Sequence, residues 1–324
     1  MEIVGESIDE VLFQAYEAII SKGAPNTGSR GASKEILGVT LRIAHPRARI
    51  SRSEDRGRPS SALGELLWYL SGTDDISFIT AYIKSYQDEV GATGTINGAY
   101  GPRLFSRYGL DQLEEVKLLL ERKKGSRRAV VQIYSALDLT VDDEVPCTTT
   151  LQFFIRDDLL HLAASLRSND AYLGLPHDVF CFTMIQELMA RRLGLDVGEY
   201  IQMIGSFHVY DKDLDRVSRY LSEGHHRLAE MPAMPIGDPF VLLPHILDLE
   251  RRMRIGECVD DEVSTLDPYW ADLMRLLQSH FASNNEHQLD IISTGFQEPI
   301  FRTYLDDRRE RSLRSSAKHT SAKS

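Results

Sequence analysis

Three observations predict an α+β fold. Helical and strand-like patterns mix without a regular βαβ rhythm, the strand-like segments concentrate in the middle of the chain, and no internal repeat is present. The 324 residues, 42% of them apolar, suffice for a substantial core in one large domain or two ordinary ones.

The elements follow in order. Residues 8–22 read as an amphipathic helix closed by Gly23. Residues 24–34, APNTGSRGASK, are turn-rich, and residues 35–44 read as a strand. Residues 45–59 form a basic, polar loop. Pro59, Ser60 and Ser61 open a helix that runs to Leu70 and stops at Gly72. Residues 111–123 give another helical pattern. Residues 129–134 and 149–155 carry the β-branched and aromatic residues of strands, and residues 159–166 pair with the latter through a turn at Asp157-Asp158. The apolar run 179–193 reads as a buried helix, 201–210 as a strand, and 211–222 and 266–281 as helices. Residues 1–304 are expected to form one domain, and residues 305–324, rich in Arg, Ser and Lys, a polar, disordered tail.

Composition excludes several function classes. A net charge of −11 argues against general nucleic-acid binding, which needs a basic surface, but leaves room for a small phosphorylated ligand held by a few arginines. The three cysteines, Cys147, Cys181 and Cys258, form no CxxC pair, so neither a disulfide framework nor a metal site is expected. They suit a reducing, cytoplasmic setting. No signal peptide is expected, because the first ten residues lack a long apolar run, and no stretch approaches the roughly 20 apolar residues of a membrane span.

The candidate chemistry is spread along the chain. Cys147 follows Pro146 at the start of a strand. Alone it reads as a structural, half-buried cysteine. As a nucleophile it needs nearby positive charge, which Arg127, Arg128 and Arg167 can supply. The Arg167-Ser168 pair suits a phosphate, with a forked cation beside a hydroxyl. Asp178, after Pro176 and His177, sits where an acidic residue ordinarily complements a helix start. Glu65 is a carboxylate within an apolar helix, and burial would raise its pKa and suit it to proton transfer. His208 and Tyr210 end a strand.

Each signal is weak alone, but their order is specific. Glu-Leu-Leu-Trp at Glu65, Tyr100-Gly101, Ser126-Arg127-Arg128, Pro146-Cys147, Arg167-Ser168-Asn169-Asp170-Ala171-Tyr172-Leu173-Gly174-Leu175-Pro176 and His208-Val209-Tyr210 together resemble thymidylate synthases. The resemblance runs from about residue 8 to 215, and residues 220–304 read as divergent. It implies a twisted mixed sheet with flanking helices, a homodimer formed through the sheet face, and 5,10-methylenetetrahydrofolate as co-substrate. It implies Cys147 as the thiolate that attacks C6 of a pyrimidine nucleoside monophosphate, Glu65 as the acid-base carboxylate and Tyr100 as part of the catalytic hydrogen-bond network. Arg167 and Ser168 then bind phosphate in the same subunit, Arg127 and Arg128 reach the partner subunit's phosphate, and His208 and Tyr210 meet the sugar. Asp170, Gly174 and Tyr86 match folate contacts. Arg30 lies about two residues from the expected phosphate arginine.

Departures from the synthase pattern bear on the product. Asp178 stands where synthases carry Asn, and a carboxyl favours cytosine's N4 donor and N3 acceptor over uracil's reversed pattern. Tyr86 is the nearest match to a tryptophan beside the folate, and the synthases' closing C-terminal segment has no counterpart; both favour water over hydride as the last reactant. Thr148 replaces a frequent His after the nucleophile, and the lysine expected before the Glu65 helix is missing. The leading expectation is a cytidylate 5-hydroxymethylase, with the deoxy sugar favoured by the Arg127, Arg128 and Ser168 pattern. The alternatives are a thymidylate synthase methylating dUMP and an inactive nucleotide- or RNA-binding relative, against which the retained Cys147, Glu65 and arginines argue.

Overall fold

The computed structural model describes residues 1–28, 30–53, 59–91, 94–142, 144–282 and 285–305. Among these the strands are β1 (Glu2–Gly5), β2 (Ala24–Gly28), β3 (Gly31–Ile43), β4 (Val130–Gln132), β5 (Thr148–Arg156), β6 (Leu159–Asp170) and β7 (Asp196–Tyr210). The principal helices of the first two thirds are α1 (Ile8–Lys22), α2 (Pro59–Leu70), α3 (Ile76–Thr80), α4 (Tyr100–Phe105), α5 (Gln112–Arg122) and α6 (Gly174–Arg192). Then follow α7 (Leu214–Glu223), α8 (Leu243–Arg254), α9 (Asp260–Ser264), α10 (Pro268–Phe281) and α11 (Glu286–Gly295).

The strands form one mixed sheet in the order β1-β3-β7-β6-β5-β4, with β2 paired to β3. β5 and β6 join as a hairpin through Asp157 and Asp158, whose φ values of 50° and 55° give the turn the twist that a two-residue hairpin requires. β6 and β7 run parallel, joined by α6, and β3 lies antiparallel to β7. This register aligns Ser168 with Ser206 and Asp170 with His208 on neighbouring strands, while Glu35 of β3 faces His208. The Arg167 N–H donates to the Cys147 carbonyl at 2.8 Å, so the chain just before β5 lies beside the end of β6. One rim of the sheet thus collects segments from four strands.

α6 packs on β6 and β7, α2 packs on α6, and α10 covers the outer side of α2. Being sandwiched, α2 is buried at every position from Ala62 to Leu70, which explains its unbroken apolar sequence. Side-chain caps start several helices: Ser7 accepts from Glu10 N, and Asp111 from Glu114 N.

The α+β expectation holds, and the structure corrects details. Residues 24–34, expected as turns, form the hairpin of β2 and the start of β3; Gly31, at φ +117°, supplies the reversal. β7 begins five residues earlier than expected, α6 also five residues earlier, and β6 continues four residues further. The strand expected over 129–134 shrinks to three residues, and β1, α3, α4, α8, α9 and α11 were not anticipated. Part of the expected loop, residues 54–58, and nearly all of the expected tail, residues 306–324, lie outside the described residues. Leu305 is buried in a final helical turn, so the tail does not begin there.

Candidate active site

Cys147 is exposed where the chain enters β5, and Arg167 fixes that entry. Its Nε donates to the Pro146 carbonyl and its Nη2 to the Val145 carbonyl, both at 3.0 Å, which sets the guanidinium close to the sulfur and leaves further N–H groups free of these two bonds. The protein packed around the sulfur pushes the thiol above its ordinary pKa; Arg167 and Arg30 pull it down, while Asp178 and Glu144 push it up. Of the positive charges expected to activate the thiol, Arg167 is present, joined by Arg30, but the opposing influences prevail.

Tyr100 opens α4 and lies between the ring of Tyr69 at 4.7 Å and that of Phe182 at 6.3 Å. Its hydroxyl donates to Thr148 Oγ1 at 3.0 Å and accepts from Thr148 N at 3.2 Å. The residue after Cys147 thus ties Tyr100 to the entry of β5.

Glu65 is buried on α2 at the meeting point of three donors. Tyr69 and Tyr86 hydroxyls donate to Oε1 at 2.9 and 2.6 Å, and His177 Nδ1 lies 2.6 Å from Oε2. Burial acts to raise the Glu65 pKa, but His177, Tyr86 and Tyr69 outweigh it and hold the carboxyl below its ordinary value. This corrects the expectation of a raised pKa: burial is the largest single influence, and the donors together exceed it.

Asp178 lies past the first turn of α6, so it does not cap the helix start as expected, and forms the half-buried end of a relay of otherwise buried side chains. Tyr200 OH donates to Gln202 Oε1 at 2.6 Å, Gln202 Nε2 to Asn169 Oδ1 at 2.9 Å, and Asn169 Nδ2 to Asp178 Oδ2 at 2.6 Å. Burial, followed by the charge of Glu65, pushes the Asp178 carboxyl well above the usual carboxylate range, so the neutral acid is favoured; the Asn169 bond only partly opposes this. Gly174 makes room for the relay: a Cβ there would lie 3.2 Å from Asn169 Nδ2 and 3.7 Å from Asp178 Oδ2.

The remaining expected residues lie around this group. Asp170 uses Oδ1 to accept from Tyr172 N at 2.8 Å and Leu173 N at 3.2 Å, shaping the turn into α6. Buried His208 packs edge-on to Tyr210 at 5.0 Å, and its buried Nδ1 has no hydrogen-bond partner among the described residues. Ser168 sits partly buried beside Ser206. Arg30 reaches the rim from the β2–β3 hairpin and is held by Glu89 at 3.0 Å and Glu144 at 2.8 Å. Arg127 and Arg128 stand apart: both are exposed before β4, and neither forms an ion pair among the described residues. Cys181 is buried in α6 with its sulfur 3.6 Å from the Ala62 carbonyl, and Cys258 is exposed.

Sequence reasoning missed His177, Tyr69, Asn169, Gln202 and Tyr200. Tyr69 follows Glu65 by four residues on one helix, a spacing that places the two side chains together and was readable. The relay joins β6, β7 and α6, and only the register reveals it. No group of three or more His, Cys, Asp or Glu side chains suited to a metal occurs among the described residues, and no described helix is long and apolar enough to cross a membrane.

The family model described as thymidylate synthase matches residues 22–239. A thymidylate synthase of Francisella philomiragia is 29% identical over 178 residues, covering 50% of this chain and 65% of the relative. One of Coxiella burnetii is 27% identical over 220 residues, covering 66% of this chain and 83% of the relative. The matched region begins later than the residue 8 from which the motifs carry the similarity, ends later than residue 215, and leaves α8 to α11 outside.

Proposed function

Because this chain belongs to the thymidylate synthase family, we propose that it transfers a one-carbon unit from 5,10-methylenetetrahydrofolate to C5 of a cytidylate, giving the 5-hydroxymethyl nucleotide. The observation that carries the choice of base is Asp178. Its Oδ2 is engaged as an acceptor by Asn169, and its surroundings favour the neutral acid, so the carboxyl offers one donor and one acceptor. Cytosine presents the complementary acceptor at N3 and donor at N4. A mismatched buried polar group costs about 1–3 kcal/mol, enough to discriminate between bases by one to two orders of magnitude.

In this reading the Cys147 thiolate adds to C6, and the electron pair displaced toward C5 makes that carbon the nucleophile for the co-substrate's methylene. The co-substrate supplies the one-carbon unit at the formaldehyde oxidation level. Arg167 and Ser168 hold the phosphate, with Arg30 released from Glu89 and Glu144 to join them. His208 Nδ1 and the Tyr210 hydroxyl meet the sugar. Tyr100, tied to Thr148, keeps the nucleophile's strand in place, while Glu65 handles protons. Asp170, Gly174 and Tyr86 line the folate side.

The second reading is methylation of dUMP, favoured by relatives named thymidylate synthase and by a neutral acid's ability to meet uracil when its donor and acceptor ends are exchanged. A product assay separates the two. Purified protein with methylenetetrahydrofolate and dCMP, CMP or dUMP is analysed by mass spectrometry, with absorbance following dihydrofolate. Hydroxymethylated cytidylate without dihydrofolate is expected; methylated dUMP with dihydrofolate would overturn the proposal.

A further inference from the structure

We propose that His177 is a positioning residue that holds Glu65 as the base for water addition, an inference that rests on the hydroxymethylase reading above. An ionised carboxylate offers about four acceptor positions. Here Tyr69 and Tyr86 fill two on Oε1 and His177 fills one on Oε2, leaving a single position for water. For Nδ1 to donate to Oε2 it must carry the hydrogen, which leaves the other ring nitrogen paired with Ser61 Oγ at 3.4 Å. The three donors satisfy an anion and would be in excess around a neutral acid.

The neighbouring groups sharpen the assignment. Tyr69 from α2 and Tyr86 from the 3-10 turn Lys84–Glu89 are pushed by burial and by the Glu65 charge well above the ordinary phenol range, and so remain donors. Asp178 and Cys181 approach from α6, Glu89 from the end of the 3-10 turn, and Tyr100 through its stacking on Tyr69. Burial drives Asp178 and Cys181 toward their neutral forms. Of these neighbours only His177 becomes a cation on taking up a proton, and it lies directly on the carboxylate.

The assisted step begins after the folate amine has left, when the pyrimidine carries an exocyclic methylene at C5 and the Cys147 sulfur at C6. Water oxygen bonds to the methylene carbon, and its proton passes to Glu65. The displaced pair moves into the ring, C5=C6 re-forms, and the C6–S pair returns to sulfur as thiolate. Nothing is oxidised or reduced. His177 fixes the carboxylate's orientation and, through the shared hydrogen bond, stabilises the protonated pair until the proton returns to the thiolate or solvent.

The test uses full-length wild type, His177→Phe and His177→Asn in single turnovers with a C5-tritiated cytidylate and methylenetetrahydrofolate. Tritium release reports loss of the C5 hydrogen, and mass spectrometry reports hydroxymethyl product. In H177F, product formation is expected to slow about 100-fold while tritium release stays within about threefold of wild type and the nucleotide KM within about twofold. Intact-protein mass spectrometry should then find the nucleotide retained on Cys147. H177N, whose amide can still donate toward Oε2, should recover roughly tenfold of the loss, and circular dichroism establishes that both variants fold. The acid limb of the kcat profile should move to higher pH in H177F, because Glu65 loses the donor that favours its ionised form. Equal slowing of tritium release and product, or no slowing of either, would overturn the inference while leaving the hydroxymethylase reading intact. A wild type that makes thymidylate and dihydrofolate overturns both, so the two failures are distinguishable.

Discussion

At Asp178 one carboxyl group carries two pieces of information, its place in the chain and its protonation. The place was legible, because the Leu-Gly-Leu-Pro run fixes the alignment; the protonation was not, because it depends on Glu65 and Asn169, 113 and 9 residues away. With the folded pKa raised, the neutral acid prevails below that value, and the donor is lost as pH rises through it. Cytidylate affinity is therefore expected to fall as pH rises, and Asp178→Asn should remove that dependence. The same substitution should shift the dUMP-to-dCMP ratio of kcat/KM by about 10- to 100-fold toward dUMP, measured by competition between the two nucleotides. An unchanged ratio would remove Asp178 from base recognition. Glu65 shows the complementary limit of sequence reading: its apolar neighbours left burial and an exposed face equally open, and its donors His177 and Tyr86 come from elements distant in the chain.

At the scale of elements, the capped helices with an apolar stripe, α1 and α5, and the wholly apolar α2 were readable: all three start and stop within a residue of expectation. The β2–β3 hairpin was not, because its Gly, Asn and Ser residues favour turns in isolation and become strand through the pairing of β2 with β3, which from Ser33 on is itself paired with β7. α3 and α4 are too short for a periodic signal. The segment carrying Tyr86 depends on a close contact that no pattern announces. A Cβ on Gly64 would lie 2.3 Å from Tyr82 Cγ, so the Tyr82 ring lies directly against the α2 backbone, and its hydroxyl donates to buried Glu250 of α8 at 2.9 Å. Gly64→Ala must displace that ring. The expected cost is about 1–3 kcal/mol, a Tm lower by roughly 3–10 °C in a thermal melt, with turnover reduced because Tyr86 lies four residues further along. A melt and turnover equal to wild type would show that the contact relaxes freely.

The whole molecule joins a family-matched region to a helical cover. α10 packs over α2 and α8 on α10, so the helix carrying Glu65 is held from one side by α6 and from the other by residues beyond the matched region. Residues 220–304 were expected to diverge, and the family match runs on to residue 239; the packing of the helices beyond it on α2 was not readable, because covering an apolar helix requires only apolar residues of suitable size and leaves no motif. Arg127 and Arg128 remain outside the site of their own chain, and the proposal that they serve a partner's phosphate makes a quantitative statement about a dimer. Cys147→Ser and an Arg127→Ala/Arg128→Ala double variant should each be nearly inactive. Mixed in equal amounts and allowed to exchange subunits, they should regain about one quarter of wild-type activity, because half the dimers then contain one complete site of two. No recovery under conditions where exchange is demonstrated by mass spectrometry would place these arginines elsewhere.

The relay from Tyr200 to Asp178 has a direction. As it stands, hydrogens point from the phenol toward the carboxyl, so an acid proton on Asp178 resides on the oxygen turned away from Asn169. Both amides are two-ended, however, and a phenol accepts as readily as it donates. The same four side chains therefore have a mirror wiring, with the acid proton pointing inward and every amide reversed. One wiring gives the outward oxygen a donor, the other an acceptor. On the proposed reading of Asp178 as the base contact, the alphabet of the pocket is written in four residues on three elements, and redesigning it for another pyrimidine means setting the sense of a whole circuit.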